Sequence, residues 1–310
     1  MDLSEMAGIL IRNQICEWDL AARNYTGLKN VRVRDLDFGN YKIIIQYNPE
    51  RMVSSAAKVD PASIEARPCF LCQKNLPVQQ RFLPIDDDFL LLVNPFPIFP
   101  EHLTIPAAIH SEQLILGNFE RMLEIASQLN EFVIFYNGPK CGASAPDHLH
   151  FQAGIKGFLP IENDTFNVSC CVDIRKVGNV AIAHWPDYAR GIITLTSDDR
   201  KGLSNCFAGI YEQLKAIQPQ AHEPMLNILA TFNDGVWRIH IIPRTLHRPE
   251  QYFETGARRI ILSPASVDMG GVFITPRKED FLKITAGDVT DIFRQVCFEP
   301  SVILRLILQL

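Results

Sequence analysis

One short segment of this 310-residue chain concentrates the residue types that carry chemistry. His148, His150 and Gln152 alternate there with the apolar residues Leu149 and Phe151. Because successive side chains of a β-strand point to opposite faces, a strand would place the three polar residues on one face and the apolar pair in the core. Imidazole is largely unprotonated near neutral pH and is a good nucleophile toward phosphorus. The pattern therefore predicts a histidine that accepts a nucleotidyl group.

Gln152 indicates which phosphorus chemistry the segment favours. A third histidine at this position could protonate a poor leaving group, whereas a glutamine has no acidic proton to give. Its amide can still hydrogen-bond a phosphoryl oxygen and hold an intermediate. We therefore expect a leaving group that is stable as an anion, such as a sugar phosphate, and transfer rather than simple hydrolysis. The alternative is an exposed strand face that carries two incidental histidines.

A glycine-rich loop precedes this segment, between Asn137 and Pro146. Glycines allow the backbone to approach a ligand closely, so the N–H groups around Gly142 and Ser144 are predicted to contact phosphate oxygens. Cys141 lies in the same loop without an evident basic partner. We interpret it as structural rather than as a reactive thiolate.

At these residues the sequence resembles the galactose-1-phosphate uridylyltransferase branch of the histidine-triad superfamily. Within that branch it is most similar to the GDP-hexose phosphorylases (GDP-L-galactose and GDP-D-glucose phosphorylases), which nearly share the run 147–153 and the following Pro160-Ile161-Glu162. The resemblance implies that His150 becomes nucleotidylated, with Gln152 as its partner. It also implies a reaction in which a nucleotide-sugar, GDP-hexose by preference, and phosphate give a hexose 1-phosphate and a nucleoside diphosphate.

Two residues differ from those of the related families, and the sugar and the base of the substrate are therefore left open. Asp147 stands where the phosphorylases have asparagine, and Leu149 stands where the uridylyltransferases have proline. A dinucleoside polyphosphate phosphorylase and a hexose-1-phosphate uridylyltransferase are alternatives with the same chemistry. A catalytically inactive, nucleotide-binding regulatory protein is an alternative of another class, and the intact His-x-His-x-Gln pattern speaks against it.

Cys69 and Cys72 form a two-spacer pair in a proline-bounded loop. Such a pair can bring two thiolates to one metal ion, which then needs further ligands to complete a tetrahedron. Bacterial uridylyltransferases are similar at this point, and the resemblance implies His102 and His148 as the other ligands of a structural zinc ion. His110 is the alternative to His102 as a metal ligand. Two ordinary buried cysteines are the alternative.

The substrate-binding candidates come from four further places in the chain. Two follow an early strand, two lie in the glycine loop, two follow a strand of the second half, and one is an acidic residue before a glycine pair, where it could accept hydrogen bonds from sugar hydroxyls. They are Asn48, Arg51, Gly142, Ser144, Arg244, Arg248 and Asp268. The alternative for most of them is a solvated loop.

The elements that must position these residues follow a weak internal repeat. Strand, helix, strand, turn and strand occur twice, with predicted helices over 111–129 and 199–217. His240 then stands where His150 stood. We expect an α+β fold of two fused histidine-triad-like halves around a mostly antiparallel sheet with flanking helices. Residues 1–165 would form the catalytic half, and residues 166–310 a degenerate half that contributes substrate binding.

Composition narrows the class of protein. The net charge is −5 and the cations are scattered, so we expect no nucleic acid as a partner. The first twenty residues carry several charges, which does not fit a signal peptide, and no apolar run is long enough to span a bilayer. Eight irregularly spaced cysteines favour a reducing cytoplasm. The expected partners are a nucleotide-sugar and phosphate. The oligomeric state is left open, a homodimer included.

Overall fold

Two sheets organise the computed structural model of this chain, which describes residues 2–51 and 61–310. The strands are β1 (Arg32–Asp37), β2 (Lys42–Tyr47), β3 (Phe82–Ile85), β4 (Phe89–Val93), β5 (His102–Pro106), β6 (Phe132–Asn137), β7 (His150–Ile155), β8 (Val172–Val177), β9 (Val180–His184), β10 (Ile193–Ser197), β11 (Leu226–Asn233), β12 (Val236–Pro243) and β13 (Val272–Thr275). The larger sheet has the order β3-β4-β5-β7-β6-β11-β12-β10-β9-β8, and its neighbouring strands are antiparallel. The smaller sheet has the order β1-β2-β13, with β13 parallel to β2.

Helices cover both faces of the larger sheet. They are α1 (Leu3–Glu17), α2 (Asp19–Gly27), α3 (Pro61–Glu65), α4 (Phe119–Gln128), α5 (Pro160–Asp164), α6 (Arg200–Ile217), α7 (Glu250–Phe253), α8 (Ser266–Met269), α9 (Lys278–Lys283), α10 (Ala286–Val296) and α11 (Pro300–Leu308). Short 3₁₀ turns occupy Leu28–Asn30, Pro49–Arg51, Gln73–Asn75, Leu116–Asn118 and Gly256–Arg258. Among the described residues, no helix combines the length and the apolar character needed to cross a bilayer.

The strand order of the larger sheet repeats itself around its centre. From one edge inward the strands are β3, β4, β5, β7 and β6, and from the other edge they are β8, β9, β10, β12 and β11. Along the chain, each set begins with a hairpin and a third strand. A helix follows, α4 in the first set and α6 in the second, and then two more strands. The expected α+β class, with a mostly antiparallel sheet and flanking helices, is confirmed. The roles assigned to residues 1–165 and 166–310 stay a prediction.

Each face of the larger sheet buries its own core because side chains alternate along the strands. One core packs the sheet against α1, α2, α4, α6 and α11, and Phe151 and Ala153 of β7 belong to it. The other core packs the sheet against the smaller sheet and α5, α8, α9 and α10. Phe135 faces this second core and is paired with Gln152 of β7. Phe151 therefore faces one core and Gln152 faces the other, as the alternation in the sequence predicts.

Two element boundaries differ from the sequence prediction. The strand expected over 148–153 begins at His150, because His148 lies in a bend before it. The helix expected over 111–129 begins at Phe119, after the 3₁₀ turn Leu116–Asn118. The segment before that turn is irregular because Gln113 is buried and binds other strands, as described below. The helix expected over 199–217 is found as predicted, with Asp199 capping Gly202 N–H.

Gly154 of β7 tests how tightly the second core is packed. A Cβ added at this position would lie 2.4 Å from ring atoms of Phe99, and that ring is held by Phe135 and Phe158. We expect Gly154→Ala to lower the free energy of unfolding by about 1–3 kcal/mol through overpacking, measured by urea denaturation. Gly117→Ala is the matched control, since a Cβ there meets nothing within 4 Å. Equal stabilities of the two variants would show that the ring moves freely.

Candidate active site and metal cluster

His150 is the first residue of β7, and its side chain is nearly buried. Its Nδ1 lies 2.8 Å from the main-chain oxygen of His148, a group that can only accept a hydrogen bond. The ring proton is therefore on Nδ1, and Nε2 carries a lone pair. Burial lowers the pKa of His150 to about 4, so the ring is neutral at physiological pH. Within residues 2–51 and 61–310, Nε2 has no hydrogen-bond partner, which leaves it available as a nucleophile.

The Gln113 side chain forms hydrogen bonds with both the main-chain N–H and the main-chain oxygen of His150. Its Oε1 accepts from His150 N–H at 2.7 Å, and its Nε2 donates to His150 O and to Asn137 O. The pairing of β6 with β7 stops at Phe135 and Gln152, so Gln113 takes the place of a neighbouring strand beyond that point. The sheet is thus opened beside the nucleophile without leaving its peptide groups unpaired.

Gln113 is in turn fixed from the second half of the chain. Glu223 is buried and accepts from Ile115 N–H at 2.6 Å and from the Tyr136 hydroxyl at 2.7 Å. The Tyr136 oxygen also lies 2.9 Å from the main-chain oxygen of Gln113. Glu223, more than seventy residues after His150 in the chain, therefore holds the segment around Gln113. Gln113 in turn holds the backbone of His150.

The Gln152 amide has a defined orientation. Ile98 N–H donates to Nδ1 of His102, so the proton of this buried, neutral ring is on Nε2. That N–H lies 3.0 Å from Oε1 of Gln152, to which Asn94 also donates. The carbonyl end of the amide is therefore occupied, and its NH₂ group has no partner among the described residues. Gln152 presents donors on the same strand face as His150.

A second cluster lies immediately before β7. The Sγ atoms of Cys69 and Cys72 lie 3.2 Å and 3.6 Å from Nδ1 of His148, and Cys72 Sγ lies 3.3 Å from Nδ1 of His110. The four ligand atoms are all within 4.8 Å of one another, which is the spacing of a tetrahedral site with metal–ligand bonds of about 2.0–2.3 Å. Burial opposes ionisation of Cys69, but its contact with His148 and nearby main-chain N–H groups lower its pKa to about 6. This cluster can hold a metal ion.

His148 has the second contact that metal-binding histidines need. Its Nε2 lies 2.9 Å from Ala107 O, so the ring proton is on Nε2 and the Nδ1 lone pair faces the two sulfurs. The cysteine pair and His148 are brought together as predicted, but His102 is wrong as the fourth ligand. Both of its ring nitrogens are engaged near Gln152, and His110 takes its place.

Arg51 and Asn48 lie against the proline loop that precedes β5. Arg51 donates to Phe96 O at 2.6 Å, and Asn48 donates to Pro97 O at 3.4 Å. The Nε of Arg51 is buried without a partner among the described residues. Its charge acts on both Asp268 and His102, so the guanidinium lies within electrostatic range of both. The predicted contact of Arg51 with an anionic ligand stays a prediction. Residues 52–60, which follow it, lie outside the described residues.

The glycine loop packs against the start of α8. Gly142 has a φ of +98°, and a Cβ there would lie 2.5 Å from the Ala265 side chain, so this position requires glycine. Ser144 contributes its main-chain oxygen to Arg67. Burial raises the pKa of Cys141 to about 12, which makes its thiol unreactive. Phosphate binding by Gly142 and Ser144 stays a prediction.

Arg244 has a different role from the predicted one. Its guanidinium is fully buried and its N–H groups all donate to protein oxygens. The acceptors are the main-chain oxygens of Val296, Pro264, Leu246 and His247 and the side chain of Asn227. No donor is left for a phosphate, so the prediction of Arg244 as a substrate ligand is wrong. The residue instead joins β12 to the loops around it.

Asp268 and Arg248 are also engaged within the protein. The two oxygens of Asp268 accept from Ala265 N–H and Ile274 N–H, which joins α8 to β13. Arg248 donates to Ser263 and lies 4.2 Å over the Tyr252 ring. Their predicted contacts with a hexose and a phosphate stay predictions, and each would need a hydrogen bond beyond those already made.

Sequence reasoning missed the residues that support the nucleophile. Gln113 and Glu223 stand in no motif, and the positions they bind are 37 and 108 residues away in the chain. His102 is implied as a metal ligand by the resemblance to bacterial uridylyltransferases, but the structure has its substitute, His110, in the cluster. No periodic or compositional signal in the sequence would have distinguished them.

Comparison with known proteins shows the fold. A family profile described as "Domain of unknown function (DUF4922)" matches residues 10–155, less than half of the chain, and no curated protein matches. The structure of yeast Ap4A phosphorylase Apa2 in complex with Ap4A aligns with a TM-score of 0.62 and 17% identity, covering 93% of this chain and 97% of that one. Apa2 in complex with AMP gives the same TM-score and identity, covering 94% and 97%.

The chain has the fold of this phosphorylase. The likeness covers both halves of the chain. At 17% identity it concerns the fold alone and does not single out the GDP-hexose branch that the sequence favours.

Glu223 makes stability depend on pH. Burial raises its pKa from 4.5 to about 7. Between these pH values the unfolded chain has released the proton while the folded chain retains it, so the free energy of unfolding falls as pH rises. Glu223→Gln removes this titration with little change of shape. We expect the variant to gain stability relative to wild type from pH 4.5 to pH 7, with no further gain above that.

Urea denaturation of both proteins at pH 5 and pH 8 measures the difference. The charged and titratable groups that face Glu223 are Tyr136, Tyr211, Cys141 and His222, and they are unchanged in the variant. Glu120→Gln, at an exposed position of α4, is the control and should show no such trend. A constant difference between Glu223→Gln and wild type at both pH values would contradict the prediction.

Proposed function

We propose that this protein is a nucleotidyltransferase of the phosphorylase type that works through a nucleotidyl-His150 intermediate. One observation carries the proposal. The hydrogen bond from Nδ1 of His150 to His148 O leaves an unpartnered lone pair on Nε2, next to the free NH₂ group of Gln152. A neutral imidazole in this tautomer is a nucleophile, and the adjacent donors suit the oxygens of a phosphoryl group.

The first half-reaction is an in-line displacement at the α-phosphorus of a nucleotide. The N–P bond to Nε2 of His150 forms as the bond to the leaving phosphate oxygen breaks, and the leaving group departs as an anion. The imidazole becomes cationic in this step, which strengthens the hydrogen bond from Nδ1–H to the main-chain oxygen of His148. In the second half-reaction an oxygen of inorganic phosphate attacks the same phosphorus, and the N–P bond breaks to give a nucleoside diphosphate.

Gln152 acts in both half-reactions without transferring a proton. Its carbonyl oxygen is held by His102 and Asn94, so its NH₂ group faces the phosphoryl oxygens. Arg51 supplies the nearby positive charge, and Asn48 lies beside it. An amide cannot protonate a leaving group, and this restricts the donor to nucleotides whose leaving group is a phosphate ester or polyphosphate.

Two donors of that kind are proposed. GDP-hexose comes first, because the residues around His150 resemble those of the GDP-hexose phosphorylases. A dinucleoside polyphosphate comes second, because a structural neighbour is an Ap4A phosphorylase. Both leave as phosphate anions, so both fit a glutamine at position 152.

Trapping the covalent intermediate tests the proposal. Incubation with radiolabelled GDP-glucose, GDP-L-galactose or Ap4A, without phosphate, should leave an acid-labile nucleotide on the protein. His150→Ala should abolish this label, because it removes the nucleophile from a strand whose backbone is held by Gln113. His222→Ala, with a side chain that is 72% exposed, is the control and should retain the label. Labelling of His150→Ala, or no labelling of wild type by any donor, would disprove the assignment.

We also propose that Cys69, Cys72, His110 and His148 bind zinc. Two thiolates and two imidazoles at tetrahedral spacing are a donor set that zinc prefers, and all four protein ligands are present as in structural sites. The ion would join the cysteine loop to the bend before β7. Because the main-chain oxygen of His148 orients His150, the cluster would also stabilise the nucleophile's tautomer.

Metal content tests the zinc proposal. Purified protein should contain about one zinc ion per chain, measured by mass spectrometry of the acid-digested protein. The double variant Cys69→Ser and Cys72→Ser should contain none and should unfold at lower urea concentration. Cys16→Ser, which removes an exposed free cysteine, is the control and should retain both metal and stability. Stoichiometric zinc in the double variant, or no zinc in wild type, would contradict the zinc proposal.

A further inference from the structure

A cavity of about 210 Å³ lies beside β12 on the same face of the larger sheet as His150. Its lining includes Val133, Lys156, Glu162, Phe166, Arg238 and His240. Val133 is at the start of β6, whereas Asn137, which shares the Gln113 contact with His150, is at its end. Four residues of a strand span roughly 13 Å. Neither His150 nor Gln152 lines the cavity, so it is distinct from the site around His150, and the proposed function does not use it.

His240 presents a buried donor to this cavity. The ring is 3% exposed, and its Nδ1 lies 2.8 Å from the Thr194 hydroxyl. That hydroxyl accepts from the indole N–H of Trp185, and its own hydrogen has two acceptors in reach, Nδ1 of His240 and the sulfur of Cys171. A thiol sulfur is a weak acceptor, so the hydrogen goes to Nδ1 and the proton of the neutral ring is on Nε2. Nε2 has no partner among residues 2–51 and 61–310.

This tautomer is the opposite of the one found at His150. The two histidines occupy corresponding strands of the two halves, β7 and β12. At His150 a carbonyl accepts from Nδ1–H and Nε2 carries a lone pair, whereas at His240 a hydroxyl donates to Nδ1 and Nε2 carries the proton. The geometry at His240 therefore suits binding of a ligand oxygen and excludes nucleophilic attack by Nε2.

The charged groups around the cavity are of both signs, with Asp173 near Arg238 and Glu131, Glu162 and Asp234 near Lys156, so the hydrogen-bond donors that are free decide which ligand fits. The guanidinium of Arg238 is half-buried and stacks at 4.5 Å on Phe166, without a hydrogen bond or ion pair to any described residue. Lys156 adds a second positive charge, and its donors are taken by Asn130 O, Phe232 O and Asn233 Oδ1. The oxygens of Glu162 already accept from main-chain N–H groups. Among these lining residues, the hydrogen-bond donors without a partner in the described part of the chain are those of the Arg238 guanidinium and Nε2–H of His240.

We propose that this cavity is a second, non-catalytic site that binds a phosphate group between the Arg238 guanidinium and Nε2–H of His240. The phosphate belongs to inorganic phosphate or to a phosphate monoester such as AMP. An arginine fork matches the oxygens of a phosphate, and the cavity has room for a phosphate group but not for a whole dinucleotide. The site is independent of His150 and would remain if the proposed function were wrong.

Nitrogen-15 NMR of the histidine side chains tests the proposal, with His240→Gln identifying the His240 signals. In wild type the spectrum should show Nε2 of His240 protonated and Nδ1 unprotonated. Inorganic phosphate and AMP are titrated separately. The His240 signals should shift saturably, and Arg238→Gln should weaken binding at least tenfold. Thr194→Val, which removes the group that sets the tautomer without touching the ligand, should also weaken binding. Arg258→Gln, at a side chain that is 81% exposed, should not.

Each outcome of the titrations decides the proposal. A response to both ligands, or to either ligand alone, supports a phosphate site, and the ligand that binds more tightly identifies the source of the phosphate. No response to either ligand, an unchanged response in Arg238→Gln, or an unprotonated Nε2 of His240 in wild type would overturn it. If Arg238→Gln does not fold, Arg238→Lys keeps the charge but lacks the fork and should bind several-fold more weakly than wild type.

Discussion

The hydrogen bond from Nδ1 of His150 to the main-chain oxygen of His148 is the interaction on which the candidate site depends. A neutral imidazole has one ring proton, and this bond determines which nitrogen is left with a lone pair. A carbonyl oxygen cannot exchange roles with the ring as a hydroxyl or a water can, so the tautomer is determined by the backbone. The other contacts near β7 serve to keep these two residues in that relation. Gln113 holds the peptide groups of His150, and Cys69, Cys72 and Ala107 O contact the side chain of His148.

The contacts that support His150 cross the boundary between the two halves. Glu223 binds Ile115 and Tyr136 of the first half, and Asn227 donates to Asn137 and to the main-chain oxygen of Cys141 in the glycine loop. The central strands β6 and β11 are paired, so the two halves share one sheet and its two cores. The second half is thus required for the geometry of the first, whatever it contributes to substrate binding. Glu223 is buried at this junction, and burial raises its pKa to about 7.

The sequence predicted what depends on local periodicity and motif, and it did not predict what depends on contacts between distant segments. Alternation was sufficient to place Leu149 and Phe151 in one core and His150 and Gln152 on the other face, although His148 lies in a bend before the strand. The cysteine pair and His148 lie together as the motif predicts. The exchange of His102 for His110, and the burial of Arg244 among five acceptors, follow from how loops pack onto a completed sheet. Spacing alone cannot distinguish a histidine that faces a thiolate from one that faces an amide.

The buried histidines show why a residue type is an incomplete guide to function. Burial lowers the pKa of His102, His150 and His240, so all three rings are neutral. Their roles differ because the group next to Nδ1 differs: a peptide N–H at His102, a carbonyl oxygen at His150 and a hydroxyl at His240. A donor at Nδ1 places the ring proton on Nε2, and an acceptor removes it from there. Of these three histidines, only His150 has an acceptor at Nδ1, and so only there can the fold combine a buried, neutral ring with a nucleophilic Nε2.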